Sequence, residues 1–176
     1  MDKRGIPEQV EDILIVGGGP AGYTAGLYAA RARMKTLMIE GESTVSQITV
    51  TDLIENYPGL PEGVHGFDLR DRCRAQAESF GMRRTTGDAT SIEPVSWGDV
   101  SGWRVTAGKN AYDGLAVIVA TGANWRRLGV PGEAELIGRG VSYCATCDGP
   151  FYRNRDVVVV GGGNTAVQEA LYLTRF

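Results

Sequence analysis

Asp12-Ile-Leu-Ile-Val-Gly17-Gly-Gly-Pro-Ala-Gly22 is the stretch on which the fold turns. Asp12 to Val16 is a short apolar run ending in glycines, the pattern of a strand buried in a parallel sheet. Ala21 to Arg33 is rich in alanine, with Leu27 and Tyr28 three and four residues after Thr24, and reads as a helix. Lys35 to Glu40 (KTLMIE) is a second strand. Strand, helix and strand in so short a span make a βαβ unit.

The turn carries Gly17-x-Gly19-x-x-Gly22, directly after the strand and opening the helix. Gly17 permits the tight turn, Gly19 lets backbone approach a pyrophosphate, and Gly22 lets helix and strand pack closely. The first-turn N–H groups and the helix dipole then face the negative charge. Glu40 ends the next strand 18 residues after Gly22, close to the ~20 expected of a carboxylate that binds a ribose hydroxyl. A glycine turn without a ligand needs none of this company; strand, motif, helix, strand and acid together point to a dinucleotide. A second motif, Gly161-x-Gly163-x-x-Ala166, follows an expected strand at Asp156–Val160 and opens an expected helix over Asn164–Phe176. Alanine is allowed at its third position. Its ribose-reading residue is expected beyond Phe176, so these residues do not separate NAD from NADP. Two such motifs suggest a carrier of electrons between two cofactors, most economically a bound flavin and a transient nicotinamide.

Composition narrows the classes. The chain has 176 residues, 25 of them glycine, roughly twice the usual share, and no Gly-X-Y period. Hydrophobic residues make up 43% and charged residues 22%, which argues against disorder. A net charge of -3 gives no electrostatic reason to expect nucleic acid or an anionic membrane. One histidine cannot supply a multi-histidine metal site, and three cysteines cannot make a secreted disulfide framework. The uncharged stretch Ile13–Ala30 is broken by glycines and Pro20, so strand, turn and helix explain it better than a membrane span. The N-terminus is charged (Asp2, Lys3, Arg4, Glu8, Glu11, Asp12) and has no signal-peptide apolar region. The expectation is a soluble, cytoplasmic protein.

Between the motifs, residues 41–66 read as a long loop punctuated by Pro58, Gly59, Pro61 and Gly63. Phe67–Phe80 has helical spacing, with Leu69, Cys73, Ala77 and Phe80 on one side. Residues 82–113 show short β-like pieces, and Leu115–Ala120 is another apolar strand closed by Thr121-Gly122. A link rich in Arg, Gly and Pro covers 124–132. Cys73 reads as a buried core thiol and His65 as solvent-facing. Trp97, Trp103 and Trp125 suggest no chemistry by position.

Cys144-Ala-Thr-Cys147 is a CxxC pair followed by Asp148. Three readings compete: half of a zinc site, a structural pair, or a redox dithiol. A zinc site needs two more ligands, and Cys73 and His65 lack the spacing. The redox reading is favoured, because CxxC closes a small ring that opens readily and such pairs often have a depressed thiolate pKa. Asp148 beside the pair could move a proton or cap a turn.

Taken together, these features resemble bacterial-type, low-molecular-weight thioredoxin reductases, within the pyridine nucleotide–disulphide oxidoreductases. Gly140-Val-Ser-Tyr-Cys-Ala-Thr-Cys-Asp-Gly-Pro-Phe-Tyr-Arg-Asn154 is similar to their active-site segment. So are Gly17 to Ala25, Glu55-Asn-Tyr-Pro-Gly59, Ala120-Thr-Gly122 and Gly161 to Leu173. In lipoamide and glutathione reductases the redox cysteines follow the first glycine motif closely; here they fall just before the second. The resemblance implies an α/β, Rossmann-like FAD/NAD(P)-binding fold with a central parallel sheet and a second nucleotide-binding domain. It implies thioredoxin-disulfide reduction, with electrons passing from NADPH through FAD and a Cys144–Cys147 disulfide to thioredoxin. Gly17, Gly19, Pro20, Ala21 and Gly22 would lie at the FAD pyrophosphate and Glu40 at its ribose. Gln47 and Asn56 would approach the flavin, and Ala120, Thr121 and Gly122 would close over it. Cys147 would face the flavin, Cys144 would attack thioredoxin, and Asp148 would serve as acid/base. Gly161, Gly163, Asn164, Thr165 and Ala166 would receive NADPH, and Arg139, Arg153 and Arg155 could rim the thioredoxin surface. Val45-Ser46-Gln47 departs from the family's Gly-Gly-Gln, which bears on how closely backbone approaches the flavin.

The same resemblance places residues 1–123 in an FAD-binding domain and 124–176 at the start of an NAD(P)H-binding domain. The family's second half has no counterpart before Phe176. The expectation is therefore a front part of a longer enzyme, a homodimer at full length. By itself this polypeptide is expected to hold FAD weakly, show little reductase activity, and expose Val157–Val160, Leu171 and Leu173. The competing expectations are an alkyl hydroperoxide reductase flavoprotein, a ferredoxin-linked reductase, and an inactive FAD-binding fragment.

Overall fold

Alternation of side chains along two short strands builds the centre of the fold. β1 (Glu11–Val16) and β2 (Thr36–Glu40) pair in parallel, Leu14 opposite Leu37 and Val16 opposite Ile39. Leu14, Val16, Leu37 and Ile39 join one buried cluster, whereas Ile15 and Met38 join another. Strands so covered on both faces are apolar through their middles, as Ile13–Val16 and Leu37–Ile39 are. The second cluster is completed by Tyr23 and Ala30 from α1 (Pro20–Arg31), by Ala77 from α2 (Gly66–Ser79), and by Met82. These residues come from a computed structural model that describes 5–42, 46–50 and 53–176. The charged residues Asp2, Lys3 and Arg4 and the departing Val45 lie outside the described residues.

The strands are β3 (Leu53–Ile54), β4 (Val64–His65), β5 (Arg83–Thr86), β6 (Ala89–Trp97), β7 (Val100–Ala107) and β8 (Asn110–Val119), besides β1 and β2. The main sheet runs β5-β2-β1-β8-β7-β6, and β3 with β4 forms a two-stranded ribbon. β5, β2, β1 and β8 are parallel, while β8, β7 and β6 are joined as antiparallel hairpins. The sheet is parallel at its centre and mixed as a whole. β7 supplies Val105 and Ala107 to the first cluster, covering the sheet face opposite the helices. Gly114 is opposite Glu11 on one side and Trp103 on the other. A Cβ there would stand 2.7 Å from Leu14 Cγ, so a side chain does not fit.

By internal packing the chain divides into two compact units, residues 1–50 with 65–123, and residues 51–64 with 124–176. The second contains α3 (Ala145–Asp148), a 3₁₀ turn at Gly149–Tyr152 and α4 (Asn164–Leu173). Leu173 and Phe176 approach Gly149, where a Cβ would lie 3.2 and 3.3 Å from their side chains.

Five expectations change. The stretch 41–66, read as a loop, holds a 3₁₀ turn at Gln47–Val50 and the strands β3 and β4. Residues 156–160 are not a strand, and among the described residues no strand pairs with them; Val158 is 90% exposed. An apolar run becomes a parallel strand only against a neighbour that accepts its ladder, and the described residues of the second unit offer none. Leu173, expected to be exposed, is half-buried against Gly149, while Leu171 is exposed. The strand expected from Leu115 starts at Asn110, because the turn at Gly108 makes a hairpin with β7. Cys73 is half-buried rather than fully buried, packed at the margin of the second cluster.

Gly22 offers a direct test of the packing. A Cβ there would lie 1.9 Å from the Gly17 carbonyl oxygen, a backbone atom that cannot rotate away. Alanine gains about 1 kcal/mol in helix propensity, and overpacking against backbone outweighs that gain. Gly22→Ala is expected to lower unfolding stability by about 2 kcal/mol in urea titration. Gly162→Ala, with nothing within 4 Å of its Cβ, is expected to leave it unchanged.

Candidate functional site

In the first unit the glycine turn is framed by the ends of three strands. Gly17 has φ +119°, and a Cβ on it would lie 2.2 Å from the Ala120 carbonyl oxygen. Gly17 N–H donates to the Ile39 carbonyl at 2.9 Å, and Ala120 N–H donates to the Val16 carbonyl at 2.8 Å. The turn therefore sits directly beneath the exit of β8, at Ala120, Thr121 and Gly122. Gly19 caps α1 with extended backbone and no side-chain cap, and Pro20 follows without an N–H. Tyr23 N–H is bonded to the Gly19 carbonyl at 3.0 Å. The N–H groups of Ala21 and Gly22 precede it at the open end of the helix, where an anion is favoured. Gln47 Nε2 donates to the Ala123 carbonyl, tying the 3₁₀ turn Gln47–Val50 to the same exit loop. Asn56 falls in the second unit, in the exposed segment between β3 and β4.

Glu40 lies over this turn: a Cβ on Gly18 would be 2.5 Å from Glu40 Cγ. Tyr23 OH donates to Glu40 Oε1 at 3.2 Å, and Arg84 Nη1 lies 3.0 Å from Glu40 Oε2. Arg84 Nε also reaches Glu78 Oε1 at 3.4 Å. Among the described residues each carboxylate oxygen thus has one partner and a second acceptor position. Two such positions side by side match the two hydroxyls of a ribose. Sequence reasoning found Glu40 but missed its supports. Tyr23 adjoins the glycine motif and could have been suspected. Arg84 could not, because it arrives through the long-range register that sets it opposite Met38.

In the second unit Cys144 and Cys147 are bonded to each other, S–S 2.13 Å and Cα–Cα 5.3 Å. Cys144 is the N-cap of α3, and its sulfur accepts the Cys147 N–H at 3.2 Å. Thr146 Oγ1 is 3.3 Å from the same sulfur. Both donors would stabilise negative charge on Cys144 more than on Cys147. Cys147 is exposed and Asp148 half-buried. Gly161 has φ +140° and Gly163 caps α4, whose first residues Asn164 and Thr165 are exposed. A Cβ on Gly161 would lie 3.0 Å from the Ala166 Cβ, the close pair the motif's third position requires. Arg139, Arg153 and Arg155 are exposed.

A cluster next to the cysteines was missed. Trp125 stacks on Tyr143 at 4.5 Å between ring centres and 14° between planes. Tyr143 OH donates to Glu133 Oε1, and Glu133 also accepts the N–H groups of Leu128 (2.8 Å) and Gly129 (2.6 Å). The Tyr143 bond holds the Glu133 carboxyl below the usual range, and the same bond pushes the Tyr143 phenol up. Nothing in the local pattern of residues 125–143 marks these three as partners.

Among the described residues no group of three or more His, Cys, Asp or Glu could hold a metal ion, and no helix is long and apolar enough to cross a membrane.

Tyr23 supplies a pH test. Burial, then the Glu40 charge, pushes its phenol up from 10.0 to about 12. A group whose pKa is higher folded than unfolded contributes stability below its unfolded value and loses it as pH rises through the folded one. Wild type is therefore expected to lose stability relative to Tyr23→Phe between about pH 10 and 12, read as the difference in urea midpoints. At neutral pH Tyr23→Phe is expected to cost about 1 kcal/mol through the lost hydrogen bond.

Known proteins share this sequence and fold. Residues 11–176 match the family model for pyridine nucleotide-disulphide oxidoreductases. The chain is 46% identical over 164 residues to the thioredoxin reductase of Treponema pallidum, covering 93% of this chain and 52% of that protein. It is 48% identical over 169 residues to the bifunctional thioredoxin reductase/thioredoxin of Mycobacterium leprae, covering 96% of this chain and 36% of that one. The crystal structure of thioredoxin reductase from Streptococcus pyogenes superposes with a TM-score of 0.87 at 44% identity, covering 97% of this chain and 54% of that one. The chain thus spans about half the length of most of the curated relatives it matches. With a glycine turn under an acid-tipped strand, a CxxC pair and a match over nearly its whole length, the chain belongs to the pyridine nucleotide-disulphide oxidoreductase family.

Proposed function

We propose that this chain is part of a thioredoxin-disulfide reductase, with residues 1–123 assigned to an FAD-binding domain and 124–176 to an NADPH-binding domain that carries the redox pair. The observation that carries the reading is the bonded, partly exposed Cys144–Cys147 pair, in a chain that also holds two dinucleotide turns. The residues of the first turn fit FAD. The Ala21 and Gly22 N–H groups suit a pyrophosphate, and the two open acceptor positions of Glu40 suit a ribose. Bound there, FAD would supply two-electron transfer between a nicotinamide and the disulfide. Gly161, Gly163, Asn164, Thr165 and Ala166 are assigned to NADPH.

The chain's own chemistry follows from its sulfurs. Two electrons and two protons open the Cys144–Cys147 bond to a dithiol. Cys144, favoured as thiolate by the Cys147 N–H, attacks one sulfur of a thioredoxin disulfide and releases the other as a thiolate. Cys147 then attacks Cys144 in the mixed disulfide. The original bond re-forms, and thioredoxin leaves as a dithiol. Asp148 is assigned to carry the protons that the two thiols gain and lose. The family resemblance extends the proposal to a cytoplasmic homodimer.

The test uses the protein that carries this chain, loaded with FAD. Cys144→Ser or Cys147→Ser is expected to lower NADPH-dependent thioredoxin reduction by roughly a thousandfold or more. NADPH oxidation by an artificial electron acceptor should persist in both variants. Undiminished thioredoxin reduction in either would overturn the assignment of the dithiol.

A further inference from the structure

Tyr143 immediately precedes the redox pair, yet its side chain points back to a different part of the second unit. Its ring lies flat on Trp125 and its hydroxyl donates to Glu133. Glu133 is itself held by the N–H groups of Leu128 and Gly129 and is only 7% exposed. The same segment is pinned a second time at Val141, whose N–H donates to the Leu136 carbonyl at 2.9 Å and whose carbonyl accepts from Gly138 at 3.1 Å. Beyond Tyr143, Cys144 N–H donates to Ser142 Oγ at 3.1 Å. The segment that delivers Cys144 is therefore held at Val141 and again at Tyr143, one residue from the sulfur. A buried carboxylate is costly unless it is hydrogen-bonded, and here three donors from one loop meet that cost and hold Glu133 in place.

We infer that Tyr143, clamped by Glu133 and Trp125, is a positioning residue that holds Cys144 within bonding distance of Cys147 and so sets how readily the disulfide closes. The inference rests on the reading of this pair as a redox dithiol. Its physical content is effective concentration. Cys144 and Cys147 sit at a Cα separation of 5.3 Å, inside the range a disulfide requires. A tether that keeps Cys144 there in the reduced state favours ring closure over the open dithiol. Losing the tether lets Cys144 sample positions from which the bond cannot form. The clamp touches neither sulfur, so its effect reaches the chemistry only through the Cys144 main chain.

The experiment equilibrates the protein that carries this chain with mixtures of reduced and oxidised dithiothreitol. Free thiols are trapped with a maleimide and counted by mass on the proteolytic peptide that holds Cys144 and Cys147. Wild type is expected to interconvert reversibly between no label and two labels on that peptide. Tyr143→Phe is expected to lower the equilibrium constant for disulfide formation about tenfold, which is about 30 mV for this couple. Glu133→Gln keeps an acceptor oxygen but loses the charge, and a two- to threefold fall is expected. Glu133→Gln carries the test alone if Tyr143→Phe is recovered unfolded. The thermal midpoint of each variant is measured in parallel. An equilibrium constant within twofold of wild type in Tyr143→Phe, or unchanged in Glu133→Gln, would overturn the inference whatever the midpoint, a lowered midpoint then marking a merely structural role, and would leave the redox reading intact. Failure of the wild-type pair to interconvert at all would overturn both.

Discussion

The first unit depends on a contact that leaves no room for a methyl group. The carbonyl oxygen of Gly17 sits where the Cβ of any other residue at position 22 would be. That approach lets α1 start immediately after β1 and lie back across the sheet. With α1 seated so closely, Tyr23 is carried inward to the second core cluster, and its hydroxyl lands beside Glu40. The same turn is pressed from the other side by Ala120, so β8 must end where β1 ends. Three strand termini, one helix start and one carboxylate are thereby brought together by hydrogen atoms at Gly17 and Gly22. The sheet supplies the burial, and the turn decides which atoms face its open end.

The two units solve the problem of holding an acid in different ways. Glu40 is shared among a buried phenol and a guanidinium and keeps acceptor capacity in reserve. Glu133 has donors from Tyr143, Leu128 and Gly129 and serves the chain alone. The difference is functional in kind. A carboxylate with lone pairs to spare can take a ligand, whereas one surrounded by its own loop acts as a structural node. Sequence spacing distinguishes them only in part, because it reports the acid and not its donors.

What could be read from residues alone follows the same division. β1, α1 and β2 were legible because local periodicity and glycine spacing act within thirty residues, and their ends shift by only a few positions. α2 was legible for the same reason. The hairpins β6-β7 and β7-β8 were seen only as fragments, since Thr, Arg, Ser and Trp alternate on a half-solvated face without a continuous apolar signal. Val157–Val160 misled in the opposite direction: an apolar β-branched run satisfies the local rule for a strand, but a strand is a property of a pair. At the sites, the glycines, Glu40 and the cysteines announce themselves by type and spacing. Arg84, Trp125, Tyr143 and Glu133 are ordinary residues whose roles come from register and loop closure, which no short window of sequence contains.

The sulfur of Cys144 is also the cap of the helical turn that carries its partner. Oxidation state and secondary structure are therefore read by the same atom. A sulfur bearing negative charge is a stronger acceptor for the Cys147 N–H than one in a covalent bond, so arriving electrons tighten the turn at its start. The clamp at Tyr143 favours the closed ring, while the cap favours the opened, charged one. The same sulfur is thus drawn toward ring closure by the segment before it and toward the open, charged form by the helical turn after it.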